Sequence, residues 1–341
     1  MRKLTRKSLP EQVREVSKKP VEKEKSLRFD QVVSTGSTIL DLAISGGRVR
    51  GGGIPGGILI EIFGPSASGK TSVLAEICAS AQSKGGEVKF QDAESRLDTE
   101  YARIYGLSLE ETGDDYTRPK TVNEMFNDID IWEPKNDDVI NVVGTDSLAS
   151  LSTELEMDSQ DKMGMKRAKD FSERTRKCCK LIADKNWIIA CTNQVREGQY
   201  GEVTPGGKAI PFYSSLRIRV NEVRKVEKKK QYKGKEQKKI IGIESSCYIK
   251  KSTVDDPYRT AQPVFIIFGY GIDDVRGNLQ WLKTNTNLTK YDAIDKEYQS
   301  LDAAVAYIER EYYENALREK VIDTWEEIEE KFKMERKPKV R

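Results

Sequence analysis

The densest chemistry in this chain lies in eight consecutive residues, Gly64-Pro65-Ser66-Ala67-Ser68-Gly69-Lys70-Thr71, which fit the pattern GxxxxGK[ST]. Glycines at that spacing let the backbone curl until successive N–H groups point inward, and a helix beginning at the loop adds its positive end. Such a loop cradles phosphate. Lys70 would reach the β- and γ-phosphates of a nucleotide, and the Thr71 hydroxyl would help hold Mg²⁺, with Ser72 next in line on the helix. Two carboxylates extend the set. Asp146 ends the apolar run VINVVGT; there it would hold the hydration shell of Mg²⁺, or simply cap a helix, since Asp-Ser is ordinary capping chemistry. Glu94 ends EVKFQDAE; it would orient or deprotonate an attacking water, or stand as a surface charge at a strand end. The chain has no histidine, which excludes imidazole-dependent triads, dyads and metal sites. Its five cysteines form no CxxC pair, which fits free thiols in a reducing compartment.

These residues need elements to position them. ILIEIF (58–63) reads as a buried strand leading into the phosphate loop. After the loop, SVLAEICASAQSK places Val73, Leu74, Ile77, Cys78 and Ala81 on one helix face, and Gly85 stops the helix. Further strands are expected at 87–94, 139–147 and 187–194, with helices near 102–106, 121–132 and 166–185. Strands alternating with helices predict an α/β fold with a mostly parallel sheet covered on both faces. Ligands bind at the C-terminal ends of such strands, where the 64–71 loop, Glu94, Asp146 and Gln194 converge. After residue 210 the pattern turns antiparallel: SLRIRV and IIGIESSCYI flank a Lys-rich stretch that turns near Gly234, and PVFIIFGYGID supplies another strand. From about 280 the chain reads as polar helix.

Composition sets the outer bounds. Of 341 residues, 37% are hydrophobic and 33% charged. The length suits one large domain with smaller attachments, and the composition argues against a membrane protein. No apolar run approaches the roughly 18 residues a spanning helix needs, and the basic start has no apolar segment of a secretory signal. The expectation is a cytoplasmic protein with no membrane partner. Net charge is only +3, so attraction to nucleic acid must be local. Residues 1–28 hold ten Lys/Arg against four Glu, a basic arm that is either solvated or packed on a neighbouring subunit or phosphate. The expected division is a basic arm over 1–33, a nucleotide-binding core over 34–279 and a small helical domain over 280–341.

Several segments together resemble the RecA recombinase family from about Ser34 to about Leu282. STGSTILDLAISGG, IEIFGPSASGKT, QDAESRLDTEYA, VVGTDSLASL, TNQVREGQYG, TPGGKAIPFYSSLRIRV and FGYGID occur in the family's order and approximate spacing. The resemblance implies a RecA-like P-loop core and a divergent member, bacterial or phage-encoded, working at the nucleoid. It implies that Glu94 is the catalytic carboxylate. Asp98 and Tyr101 would contact adenine. Gln194 would sense the γ-phosphate and relay its presence to a DNA loop beside it. Phe212 would pack at a subunit interface and couple neighbouring ATP sites, although its sequence context alone favours a core aromatic. Lys250 and Lys251 fall where the family reaches across to the next subunit's ATP, and either could correspond.

Two DNA loops follow from the same resemblance, at 154–166 and 195–209. Met163 and Val195 would meet bases, Gly164 would belong to the DNA-binding set beside Met163, Gly206 and Gly207 would admit phosphate close to the backbone, and Arg196, Lys208, Lys169 and Arg176 would supply phosphate contacts, which position without reading sequence. Both loops read as neither strand nor helix. The implied function is a DNA-dependent ATPase that binds ATP and Mg²⁺, forms a helical homo-oligomer on single-stranded DNA and pairs it with homologous double-stranded DNA. Rival readings are a hexameric helicase on the same core, a non-exchanging DNA-coating or regulatory paralogue, and an ATPase acting on a protein. Some positions depart from the family. Asn221 and Glu222 stand where it has a basic pair for a second DNA strand, and Ser245 to Tyr248 supply no substitute. The hairpin over 222–239 carries nine Lys/Arg against three Glu: a replacement basic patch, or a solvated hairpin. The C-terminus is basic rather than acidic.

Overall fold

A computed structural model describes residues 29–110, 114–152, 165–198, 201–205, 207–333 and 335–336, with only the backbone of 165–168, 198 and 201. The basic arm up to residue 28, Met163, Gly164, Gly206 and most of the 154–166 loop lie outside the described residues.

A nine-stranded sheet organises the molecule, in the order β11-β10-β9-β8-β1-β5-β4-β2-β3. Its parallel part is built from β1 (Ile58–Gly64), β2 (Val88–Asp92), β3 (Tyr116–Thr117), β4 (Val142–Asp146), β5 (Ile188–Gln194) and β8 (Leu216–Tyr232). Beyond β8 the sheet continues antiparallel through β9 (Lys235–Ser252), β10 (Thr260–Ile267) and β11 (Gly271–Ile272). The mostly parallel α/β sheet expected from the sequence is therefore present, with the antiparallel extension after residue 210.

Period-two alternation along the buried strands feeds two cores. Ile58, Ile60 and Ile62 of β1, Val142 of β4, and Ile188 and Ala190 of β5 belong to one core. Leu59, Val143, Ile189 and Cys191 belong to the other. The first core takes in helices α1 (Thr38–Ser45) and α2 (Lys70–Ser83), and Val73, Leu74, Ile77, Cys78 and Ala81 of α2 are all buried in it. The second lies under α4 (Val122–Asp130), α5 (Met165–Lys185) and α6 (Ala209–Tyr213); the short helix α3 (Thr99–Ala102) follows β2. Burial on both faces explains why these strands read as continuous apolar runs.

The C-terminal helices α7 (Asp274–Asn285), α8 (Leu301–Glu311) and α9 (Glu314–Phe332) pack on the first core: Ala304, Val305, Ile308, Leu317 and Val321 join the cluster that holds β1 and α2. Gly46 marks how close this packing is, since a Cβ there would lie 2.7 Å from the Trp325 ring. Four of the five cysteines are buried and none is paired. Burial pushes the Cys191 and Cys247 thiols up to about 12, so they behave as small apolar groups rather than nucleophiles. Among the described residues no helix is long and apolar enough to cross a membrane.

Candidate functional site

Parallel strands deliver four sets of polar groups to one edge. β1 ends at the phosphate loop, β2 just before Glu94, β4 at Asp146 and β5 at Gln194. The loop is fixed by close packing. Gly69 sits at φ +97°, and a Cβ there would come within 2.1 Å of Ile266 Cδ1. At Gly64 a Cβ would meet the Val220 carbonyl oxygen at 2.0 Å. Only glycine lets β8 and β10 approach the loop this closely.

Lys70 is almost fully buried, and its ammonium donates to the Pro65 carbonyl at 2.7 Å. Burial lowers its pKa, while Asp146 and Glu94 pull it back up. A buried ammonium whose hydrogen-bond partner is a carbonyl of its own loop is poised to exchange that contact for an anion. Thr71 Oγ1 donates to Asp146 Oδ2 at 2.7 Å, and Thr192 donates to the other carboxylate oxygen. Burial raises the Asp146 pKa, and these two hydroxyls counter it. No group of three or more His, Cys, Asp or Glu side chains that could hold a metal occurs among the described residues. One hydroxyl and one carboxylate in contact match the sparse oxygen donors Mg²⁺ takes when phosphates and water complete its shell. The donor set therefore fits that ion together with a nucleotide.

Glu94 is held by three donors: Ser147 Oγ at 2.9 Å, Gln194 Nε2 at 3.3 Å and Arg96 Nη1 at 3.0 Å. Next to Gln194, Asn193 is fully buried. Its Nδ2 donates to Glu61 at 2.9 Å and to the Pro205 carbonyl at 3.0 Å, while its Oδ1 accepts from the Gln194 N–H. A continuous chain of contacts thus runs from Glu94 through Gln194 and Asn193 to Pro205, inside the 195–209 loop.

A cleft of about 520 Å³ opens over the phosphate loop. Ala67, Gly69, Lys70, Thr71 and Ser72 form its floor, Tyr101 and Tyr105 one wall, and Ile240, Ile243, Ile266 and Phe268 another, with Glu222 and Lys225 at the rim. Tyr101 meets Tyr105 edge to face at 5.9 Å, and Tyr105 shares a 3.1 Å hydrogen bond with Ser72. A slot between aromatic and aliphatic walls, beside a phosphate cradle, suits a flat base joined to phosphates. Tyr101 stands in the aromatic wall. Asp98 is outside the cleft walls, its Oδ1 accepting from the Glu100 and Tyr101 N–H groups as the cap of α3.

The family model for the RecA N-terminal domain matches residues 14–273 of this chain. The chain belongs to the RecA family. It is 35% identical over 278 residues to Protein RecA of Phytoplasma mali (strain AT), covering 79% of this chain and 77% of that one. To Protein RecA of Acholeplasma laidlawii it is 34% identical over 294 residues, 82% of each chain. To Protein RecA of Staphylococcus aureus (strain JH9) it is 36% identical over 248 residues, 70% of this chain and 66% of the relative. As a RecA-family protein it is a nucleotide-binding, DNA-dependent ATPase of recombination and repair.

The remaining site residues of this RecA-family chain spread outward from the cleft. The 195–209 segment departs from the expected irregular loop. β6 (Arg196–Gly198) and β7 (Gly201–Val203) pair as a short antiparallel hairpin, and Ala209 already lies in α6. Three-residue strands are too short to show an alternating pattern, and the Gly198–Gly201 pair frees the backbone to turn. Arg196, Gly207 and Lys208 are exposed, Val195 half-buried. Lys169 and Arg176 are exposed on α5; seven residues apart, they share one face about 10 Å apart along the axis. Phe212 is 72% exposed, so the core alternative fails; its ring meets that of Tyr213 edge to face at 5.0 Å. Lys251 Nζ donates to the Pro211 and Phe212 carbonyls at 3.0 and 2.6 Å. Lys250 is exposed and lines a second cleft of about 570 Å³ with Lys208, Arg217, Arg219, Tyr248 and Val195. Arg217 is paired with buried Glu61 at 2.6 Å, and Arg219 with Glu202 at 2.6 Å. Sequence reasoning missed Ser147, Arg96 and Asn193 around Glu94, and the walls from Tyr105, Ile240, Ile266 and Phe268. Ser147, Arg96, Asn193 and Phe268 lay within the quoted segments VVGTDSLASL, QDAESRLDTEYA, TNQVREGQYG and FGYGID, but no role was read for them.

Proposed function

We propose that the chain assembles on single-stranded DNA as a helical filament with ATP and Mg²⁺ between protomers, and that it pairs the bound strand with homologous duplex in the cytoplasm, at the nucleoid. The observation that carries this reading is the contact chain from Glu94 through Gln194 and Asn193 to Pro205. It joins the group placed to activate water to the segment expected to touch DNA. A change at either end has a short, fully hydrogen-bonded route to the other.

Each residue has a task in this scheme. Lys70 and the loop N–H groups bind the phosphates, with Thr71 and Asp146 on Mg²⁺. When bound, Mg²⁺ neutralises phosphate charge. Glu94, oriented by Ser147, Arg96 and Gln194, orients the attacking water and takes its proton. Gln194 exchanges its bond to Glu94 for one to the γ-phosphate, which shifts Asn193 and the 195–209 segment. Tyr101 and Phe268 enclose the base. In the second cleft, Lys250 faces a neighbouring protomer's phosphates; Lys251, engaged with its own chain, positions Phe212 instead. Lys169, Arg176, Arg196, Lys208 and Gly207 meet the DNA backbone, together with Gly164 and Gly206, and Met163 and Val195 meet bases. We divide the chain into an arm over 1–33, the ATPase over 34–279 and the helical segment over 280–341.

Steady-state ATP hydrolysis with and without single-stranded DNA, at low and high salt, tests the reading beside Glu94→Gln. DNA should stimulate turnover, the stimulation should fade with salt, and Glu94→Gln should bind ATP and DNA yet hydrolyse slowly. Turnover indifferent to DNA would sink it. Imaging then distinguishes open filaments from six-membered rings.

A further inference from the structure

The distal half of the β8–β9 hairpin is a two-stranded ribbon on which every residue from 227 to 240 is exposed. Between Glu227↔Ile240 and Tyr232↔Lys235 the register has no shift. Residues directly opposite in an antiparallel pair share a face, and faces alternate along the strand. One face therefore carries Lys228↔Lys239, Lys230↔Gln237 and Tyr232↔Lys235; the other carries Glu227↔Ile240, Lys229↔Lys238 and Gln231↔Glu236. The first holds four lysines and no acid. The second holds two lysines and two glutamates, and its Lys229 is ion-paired with Glu236 at 3.4 Å. The charge excess of the ribbon is one-sided.

The neutral face is also the one toward the nucleotide. Ile240 lines the nucleotide cleft, and Lys225, two residues before Glu227 on the same strand, lines it too. The lysine face is turned away from that cleft, so ATP phosphate is not its ligand. Lys228 directly opposite Lys239 is a repulsive pair that costs stability in the absence of a counter-charge. A polyanion running along the ribbon removes that cost.

We infer that the face formed by Lys228, Lys230, Lys235 and Lys239 is a binding site for the backbone of double-stranded DNA. This rests on the recombinase reading, and it supplies a duplex site remote from Asn221 and Glu222. Geometry and chemistry favour duplex over single strands. A two-stranded ribbon fits the major groove of B-DNA, about 12 Å wide, and the five-residue span from 228 to 232 covers roughly 13 Å. Single-strand sites present successive aromatics for base stacking; this face has one, Tyr232 at the tip. Lysines contact phosphate without reading sequence, as a surface must when it admits any duplex.

Two charge-matched variants test it: Lys228→Gln with Lys239→Gln removes the pair on the lysine face, and Lys229→Gln with Lys238→Gln removes the pair on the other. The full-length protein is first assembled on single-stranded oligonucleotide with ATP. A fluorescent heterologous duplex is then titrated in at several salt concentrations and followed by anisotropy. The first variant should lose the salt slope of about two phosphates, roughly 1.8 in log K against log salt, and bind duplex roughly tenfold or more weaker at low salt. The second should match the unaltered protein. Equal losses in both would reduce the effect to net charge and overturn the proposal, as would no loss in the first. DNA-stimulated ATP hydrolysis should be unchanged in both variants. Should the unaltered protein show no such stimulation, the recombinase reading fails; should stimulation persist without the facial difference, only the ribbon assignment fails.

Discussion

Phe212→Ala isolates assembly from folding. The ring is 72% exposed, and Lys251 holds this turn through the backbone carbonyls of residues 211 and 212, which the substitution keeps. The fold loses the edge contact with Tyr213, worth about 0.5–1.5 kcal/mol, and for a chain this long the melting temperature should fall by only a few degrees. An interface would lose more. Fully burying a Phe side chain contributes about 1.5–3 kcal/mol. Scaled to the fraction the protomer leaves exposed, about 1–2 kcal/mol per added subunit is at stake. In a linear polymer the critical concentration equals the dissociation constant for subunit addition, so it should rise roughly 5- to 30-fold. Light scattering against protein concentration, with ATP and single-stranded DNA, measures this directly. Well above the new critical concentration the hydrolysis rate per protomer should return toward the unaltered value, with weaker dependence of one ATP site on its neighbours. An unchanged critical concentration would remove Phe212 from the interface. A fall of ten degrees or more in melting temperature would mean that the ring is a core residue after all.

Three further outcomes follow from the site. Ser147→Ala removes one of the three donors on Glu94, and Ser147 makes no side-chain cap to the turn it precedes. Losing a hydrogen bond to a charged group, about 1.5–3 kcal/mol, should lower kcat by roughly 10- to 100-fold with little change in KM for ATP, and Ser147→Thr should recover part of it; unchanged kcat would mean that Glu94 needs no such orientation. Lys250→Ala should lower DNA-stimulated hydrolysis at least about tenfold without changing the melting temperature, whereas Lys251→Ala should lower the melting temperature because its ammonium holds the end of α6; the reverse pattern would exchange their roles. Asp41 is buried and its carboxyl is pushed up to about 6, chiefly by burial, against the hydrogen bonds from Ser34 and Thr35. Between pH 4 and 6 the folded state then binds more protons than the unfolded chain, so this group's contribution falls as pH rises, by on the order of 3 kcal/mol. Asp41→Asn should gain stability relative to the unaltered protein between urea melts at pH 4 and pH 7, and parallel curves would refute the sign.

What could be read from the sequence divides along the distance over which each feature is specified. The phosphate loop was legible because strand, glycine turn and helix are contiguous between Ile58 and Ser83. Glu94, Asp146 and Gln194 were legible because each ends a segment that reads as a strand, and parallel strands bring such ends together. The cleft walls were not. Ile240, Ile243 and Ile266 come from strands, and Phe268 from the turn after one, about 170 residues or more after the loop, on an antiparallel extension whose place beyond β8 depends on which strand pairs with which. Exposure of Phe212 was equally hidden, since AIPFY is apolar throughout and only the packing of α6 decides which rings face outward. The ribbon is the instructive intermediate. Its turn was expected near Gly234, and nine lysines and arginines against three glutamates read as either a diffuse patch or a solvated hairpin. In the structure Lys233 and Gly234 both have positive φ, 48° and 78°, the signature of a two-residue type I′ turn. That turn alone pairs Tyr232 with Lys235, and counting back by twos puts Lys228, Lys230 and Lys239 on one face with no glutamate. The one-sidedness was therefore encoded locally, in the turn type, and became visible once the second turn residue was known.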